Sequence, residues 1–220
     1  GNCNAAINAN ELTDSVIVDS SGFYQFSKSP EKTVEDNFDD GAGGRTCNSG
    51  TDGDSPWAGN WVDANHGSAG FCNNSQSAAN TDVDIFNDGT FTYALRLKDN
   101  NVSATRSVDL NLATKAFLTF SYRRKTALAA GEDVLVQASS NGTAFTTIFT
   151  IVGNGATDAN YVTVYNQDIT SYASATSAIR FLTNNNVDDA DTVYIDDVSI
   201  RFLKYPQCYI TNIATASVPV

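Results

Sequence analysis

The sequence predicts an all-β protein, two antiparallel sheets packed face to face, and three observations carry that prediction. Short runs of β-branched and aromatic residues are separated about every eight to twelve residues by Gly, Ser, Thr, Asn and Asp, which is the spacing of a sandwich or barrel. No stretch keeps a helical period over several turns. Within the runs the apolar residues alternate: Ala116, Leu118, Phe120 and Tyr122 fall on one face, as do Val134, Val136 and Ala138. A chain of 220 residues is long enough to bury a substantial core in this way.

The first element is a hairpin within residues 1–32. An alternating run over 15–19 is followed by a turn at 20–22 and then by Phe23, Tyr24 and Phe26. Gly22-Phe23-Tyr24-Gln25-Phe26 resembles the Gly-x-Tyr-x-Phe signature in strands of Cna-B-like repeats of large surface proteins. Pro30 marks a break, and the main domain is expected over 33–203, with 204–220 as a further strand or linker.

The main domain begins with Val34 to Gly41, VEDNFDDG, which gathers Glu35, Asp36, Asp39 and Asp40 around Phe38. Hard cations such as Ca²⁺ take six to eight oxygens, and acids along a strand end supply carboxylate and carbonyl oxygens together. A solvated acidic turn is the other reading of the same residues. Residues 45–77 are expected to be mostly loop. They hold both tryptophans, Trp57 and Trp61, and the single His66, bracketed by Cys47 and Cys72. Trp61 lies in an NWVD run and is expected in the core; Trp57 is open between core and sugar stacking, and Asp63 is a further oxygen donor. Strands are then expected at 83–86, 91–98, 105–110, 116–124, 133–139, 145–152, 161–167, 178–183 and 192–202.

The last of these, TVYIDDVSIRF, poses a charge problem. Strict alternation puts Asp196 on the same face as Tyr194, Val198, Ile200 and Phe202. An uncompensated carboxylate there costs several kcal/mol or more, on the order of the penalty for a buried ion. An arginine (Arg180 and Arg123 are available), backbone N–H donors or a bound cation must neutralise it.

Composition narrows the function. A formal charge of −12, from 25 acidic against 13 basic residues, argues against nucleic acid or an anionic membrane as partner and suits a secreted, cation-binding protein. Of the acids 21 are Asp and four are Glu, and Asp is the residue of turns and calcium loops. Four cysteines without a CxxC arrangement favour two disulfides over zinc. Of the three pairings, Cys47 with Cys72 and Cys3 with Cys208 is preferred, because the first closes one loop-rich insertion and the second ties the ends together. No run of 18 apolar residues or signal peptide is present, so the chain is read as a mature extracellular product without membrane insertion. Asn73, Asn101 and Asn141 begin N-x-S/T sequons.

The motifs VEDNFDDG, PWAGNWVDAN, YALRLKDN, SVDLNLATKAFLTFSYRRK, EDVLVQASSNGTAFTTI, SAIRFLT and TVYIDDVSIRF, in that order, resemble the jelly-roll modules of secreted bacterial surface proteins. They are similar in layout to MAM domains and to galactose-binding-like carbohydrate-binding modules, over roughly residues 33–203. The resemblance implies a jelly-roll sandwich with additional terminal strands. It also implies a calcium ion at one end of the sandwich, between an acid after the first-strand Phe and the first Asp of the final IDDV. Asp39 and Asp196 occupy those positions, with Asp36 and Asp63 completing the set; the family usually has Glu where this chain has Asp39.

Neither a GxSxG elbow nor HExxH nor a phosphate loop occurs. The reading is therefore a non-catalytic, calcium-stabilised module of a bacterial surface or filament protein, secreted or on the cell surface, serving adhesion or assembly. The tail YPQCYITNIATASVPV alternates like another strand and resembles the start of a following repeat, so strand addition to neighbouring copies or domains is one expectation. Folding back of both ends, joined through Cys3 and Cys208, is the other. The alternative function is a carbohydrate-binding module in which Trp57, Tyr122, Tyr161 or Tyr165 stack on sugars.

Overall fold

Alternation becomes strand pairing in the computed structural model, which describes residues 15–18, 24–27, 31–39, 52–64, 82–87 and 93–204. β1 (Ser15–Val18) and β2 (Tyr24–Ser27) pair antiparallel, Val16 opposite Phe26, where the hairpin is expected. The sandwich is built from β3 (Lys32–Asp36), β4 (Val62–Ala64), β5 (Val83–Asn87), β6 (Tyr93–Leu97), β7 (Ser103–Val108) and β8 (Ala113–Arg124). It is completed by β9 (Val134–Ser139), β10 (Thr146–Ile151), β11 (Val162–Asp168), β12 (Ser177–Thr183) and β13 (Val193–Lys204). Each of the nine expected runs after residue 82 is a strand, with ends shifted by a few residues. β4 lies inside the segment expected to be loop.

One sheet runs β10-β9-β12-β7-β4 and the other β11-β8-β13-β6-β5, with β3 also on β13. From β7 onward the chain passes back and forth between them, which is the antiparallel jelly-roll sandwich. β13 is the spine of the larger sheet. β8 flanks its whole length, while on its other side β6 pairs with Val193 to Ile195 and β3 with Val198 to Phe202.

The inner faces interdigitate as two alternating patterns require. Leu118 and Phe120 of β8, Leu95 and Leu97 of β6, Val134 and Val136 of β9, and Ile179 and Phe181 of β12 are buried. Phe181 lies edge-on to Phe120 with centroids 5.4 Å apart and packs on Trp61 at 6.1 Å. Trp61 is thus core, as its NWVD context indicates.

The spine departs from strict alternation at the place that matters for Asp196. Asp196 is opposite Ser121, but the next paired residue, Ser199, is opposite Thr119. Two residues of β13, Asp197 and Val198, therefore stand against Phe120 alone, which is a β-bulge. Asp197 adopts φ 48°, a left-handed conformation that Asp tolerates better than most residues. The bulge inverts the faces: Val193 and Ile195 point inward before it, Val198, Ile200 and Phe202 after it. Asp196 consequently shares the face of Ser121, away from Phe120, and is half-buried. The expectation that it enters the apolar layer is corrected on this point.

Candidate binding surface

A carboxylate that does enter the core is Asp36. Its side chain is buried, and Arg106 of β7 ion-pairs with it across the gap between the sheets. The Trp61 indole N–H donates to the same oxygen, Oδ2, at 2.7 Å, and the Phe38 amide donates to Oδ1 at 2.9 Å. Arg106 is held in turn by its Nε–H to the Gly59 carbonyl at 3.1 Å and lies over the rings of Trp57 and Trp61. Charge, donors and aromatic faces close on one another here, which is how a buried ion pair is tolerated.

Residues 52–61 clamp this network. The Ser55 amide donates to the Thr33 carbonyl, the Ala58 amide to the Ser107 carbonyl, and the Asn37 amide to Asp52 Oδ2. The segment thereby stitches β3 in one sheet to β7 in the other. At Gly53 a Cβ would stand 2.6 Å from the Thr33 carbonyl oxygen, so only glycine lets the segment approach β3 so closely. The acidity of VEDNFDDG does not lead to Arg106; the signal that does is that Ala104, Arg106, Val108 and Leu110 share one face of an alternating run, where an arginine calls for an acid.

The other residues read as metal ligands are dispersed in role. Asp39 is exposed and accepts the Tyr93 amide at 2.8 Å, linking the end of β3 to the start of β6. Asp63 faces inward opposite Ala104. Asp196 accepts the Asp197 amide at 2.8 Å, within the bulge. Among the described residues, the acidic side chains that converge closely enough to hold an ion are Glu132, Asp188 and Asp191, with ligand oxygens within 4.8 Å of one another. Glu132 precedes β9, and the two aspartates lie in the loop between β12 and β13. Cys3, Cys47, Cys72, Cys208, His66 and Asn73 lie outside the described residues; Asn101 and Asn141 are exposed.

The four aromatics read as ligand-binding differ in availability. Trp57 is 8% exposed, donates its indole N–H to the Glu35 carbonyl at 2.9 Å and carries Arg106 on its face. Tyr122 packs against the core, with Phe120 at 6.5 Å, and burial pushes its phenol pKa up. Tyr161 stacks with the Arg123 guanidinium at 5.1 Å. Tyr165, on the edge strand β11, is 69% exposed.

The outer face of the five-stranded sheet carries a different arrangement. Register places Thr147, Gln137, Arg180, Thr105 and Val62 in one row across all five strands. The row spans about 19 Å at the usual strand spacing. Gln137 donates from Nε2 to Thr147 Oγ1 at 3.1 Å, and its Oε1 accepts Arg180 Nε–H at 2.7 Å. The Arg180 guanidinium lies 3.9 Å above the Phe145 ring. No carboxylate among the described residues pairs with it, and burial pushes its pKa down. Arg96, Arg106, Arg124 and Arg201, by contrast, each have an acid. The row ends at Val62, which is 64% exposed.

No protein family and no curated protein matches the sequence. Among solved structures, the chain is similar to a cleaved adhesin domain of Lys-gingipain from Porphyromonas gingivalis, at 15% identity and a TM-score of 0.44, covering 64% of this chain and 90% of that one. It is also similar to the CBM22-1 xylan-binding domain of Paenibacillus barcinonensis Xyn10C, at 12% identity and a TM-score of 0.45, covering 78% and 94%. A third is the xylan-binding module CBM15, at 12% identity and a TM-score of 0.42, covering 68% and 94%.

Proposed function

We propose that this chain is a non-catalytic binding module of a secreted or cell-surface protein, serving adhesion, and that it meets its ligand through the outer face of the five-stranded sheet. The observation that carries the reading is the row Thr147, Gln137 and Arg180, in which each polar group orients the next and the last presents a guanidinium with no acid of its own among the described residues. Preorganised polar groups on a rigid sheet are what a binding site needs. A panel of immobilised glycans and matrix proteins probed with wild type and with Thr105→Trp tests it. Thr105 is half-exposed beside Arg180, so the indole should cover the row and abolish binding without altering the circular dichroism spectrum. Binding indifferent to that substitution would remove the surface from the reading.

Calcium is the cation we assign to Glu132, Asp188 and Asp191, since three carboxylates form an all-oxygen donor set suited to a hard ion. Assembly by strand addition would use a sheet edge such as β10, whose sequence TTIFTI has no charge to blunt it. Deleting 206–220 should then abolish polymers while 33–203 stays folded; unchanged association would discard strand addition.

One observation favours a second reading, a carbohydrate-binding module that stacks sugars on an aromatic. Tyr165 is exposed on an edge strand, and loss of glycan binding on Tyr165→Ala, with Thr105→Trp silent, would favour it.

A further inference from the structure

Arg180 presents a specific chemistry on the proposed surface. Its Nε–H is committed to Gln137, whose amide is itself held by Thr147, and its plane rests on Phe145. The guanidinium is therefore fixed in orientation. Neither terminal nitrogen hydrogen-bonds a described residue, so among the described residues two parallel N–H donors at the centre of the sheet face are left for a ligand. That pair matches the geometry of a carboxylate and is poorly matched by a lone hydroxyl.

The neighbours of Arg180 tell which carboxylate. Protein interfaces have a core enriched in aromatic and apolar residues; here Phe145, Ala178, Leu182 and Leu135 supply apolar surface around Arg180, while its own row, Thr147, Gln137 and Thr105, and Ser103 and Ser107 on the same face of β7 are polar. Amides and hydroxyls flanking one guanidinium suit a polyhydroxylated chain that carries acids. We infer that the outer face of the five-stranded sheet binds a uronic acid-containing glycan, with the Arg180 guanidinium bidentate to a uronate carboxylate.

This inference rests on the binding-surface reading and deepens it. It also has an unusual electrostatic signature. The chain as a whole carries −12 and repels a polyanion at long range, while the contact with Arg180 is short-range. Raising ionic strength to about 0.15 M, where the Debye length is about 8 Å, should screen the repulsion and strengthen binding; nonspecific attraction to a basic patch weakens with salt.

The test is calorimetric titration of the full chain with oligogalacturonate, its methyl ester, a neutral xylo-oligosaccharide and an oligoglutamate peptide. The free acid should bind, and its methyl ester should bind roughly 10- to 100-fold more weakly, the scale of lost charge-assisted hydrogen bonds. Arg180→Gln should abolish the preference for the acid, and Arg180→Lys, which keeps the charge without the paired donors, should fall between. Thermal melts of both variants check that they fold. Equal binding of acid and ester, or wild-type affinity in both variants, would overturn the inference; tighter binding of oligoglutamate would replace the glycan by an acidic protein. Neutral-glycan binding that Thr105→Trp removes would leave the surface standing without the carboxylate, whereas oligogalacturonate binding that Thr105→Trp does not touch would take down both.

Discussion

Asp36 and Arg106 belong to different sheets and meet between them, with 0% and 3% of their side chains exposed. Such a pair holds the sheets in register and is unforgiving of half-removal. Asp36→Ala, which leaves the guanidinium buried alone, should lower the unfolding free energy by about 3–5 kcal/mol, whereas Asp36→Leu combined with Arg106→Met should cost far less because both desolvation penalties go with the pair. Urea denaturation followed by tryptophan fluorescence measures both. A double variant as damaged as the single would contradict this view of the pair.

The bulge at Asp197 makes a separate prediction. At φ 48° a β-branched residue is strained, so Asp197→Val should cost about 1–2 kcal/mol, while Asp197→Gly should be neutral or stabilising. A valine variant with an unchanged melting temperature would mean that β13 runs through without the bulge.

The bulge also explains what could and could not be seen in advance. The sandwich was readable because β8 and β9 alternate without interruption, and nine strand positions followed from turn spacing. Asp196 misled because a period of two carries no mark of an inserted residue: Asp-Asp looks the same whether or not one of the two leaves the ladder. Asp36 stands out for its acidity, but its partner lies 70 residues away on the other sheet, and only the face of Arg106 hints at it. The row around Arg180 was invisible for a related reason, since it joins Thr147, Gln137, Arg180 and Thr105 from four strands whose order no single run reveals.

Acid should destabilise the protein partly through Asp158. The Arg124 guanidinium and amide hold this carboxyl below the ordinary aspartate value of 3.8, through hydrogen bonds at 2.7 to 2.9 Å. A lowered folded-state pKa contributes stability that is present above the unfolded value and lost as pH falls through the folded one. Asp158→Asn should therefore be less stable than wild type near neutrality and should lose less on acidification from about pH 5 to pH 2. Parallel stability curves for the two proteins over that range would contradict it.

Chelation should lower the melting temperature of material purified with calcium, since an ion bound only by the folded state stabilises it by about 2.7 kcal/mol at a hundredfold excess over Kd. If the ion sits with Glu132, Asp188 and Asp191, Asp188→Asn should make the protein insensitive to chelator. If Asp196→Asn or Asp39→Asn does so instead, the ion belongs to the end of β3 and the bulge. A wild-type melting temperature indifferent to chelator, with no metal by elemental analysis, removes calcium altogether.

The most direct measurement of where this module binds is an amide chemical-shift map recorded while an oligosaccharide is titrated into the isotopically labelled chain. Binding through the five-stranded sheet predicts that the shifts centre on Thr105, Gln137, Thr147 and Arg180, with Arg180 Nε–H among the largest. Shifts confined to Tyr161 and Tyr165 on the opposite sheet, with that row unmoved, would contradict it.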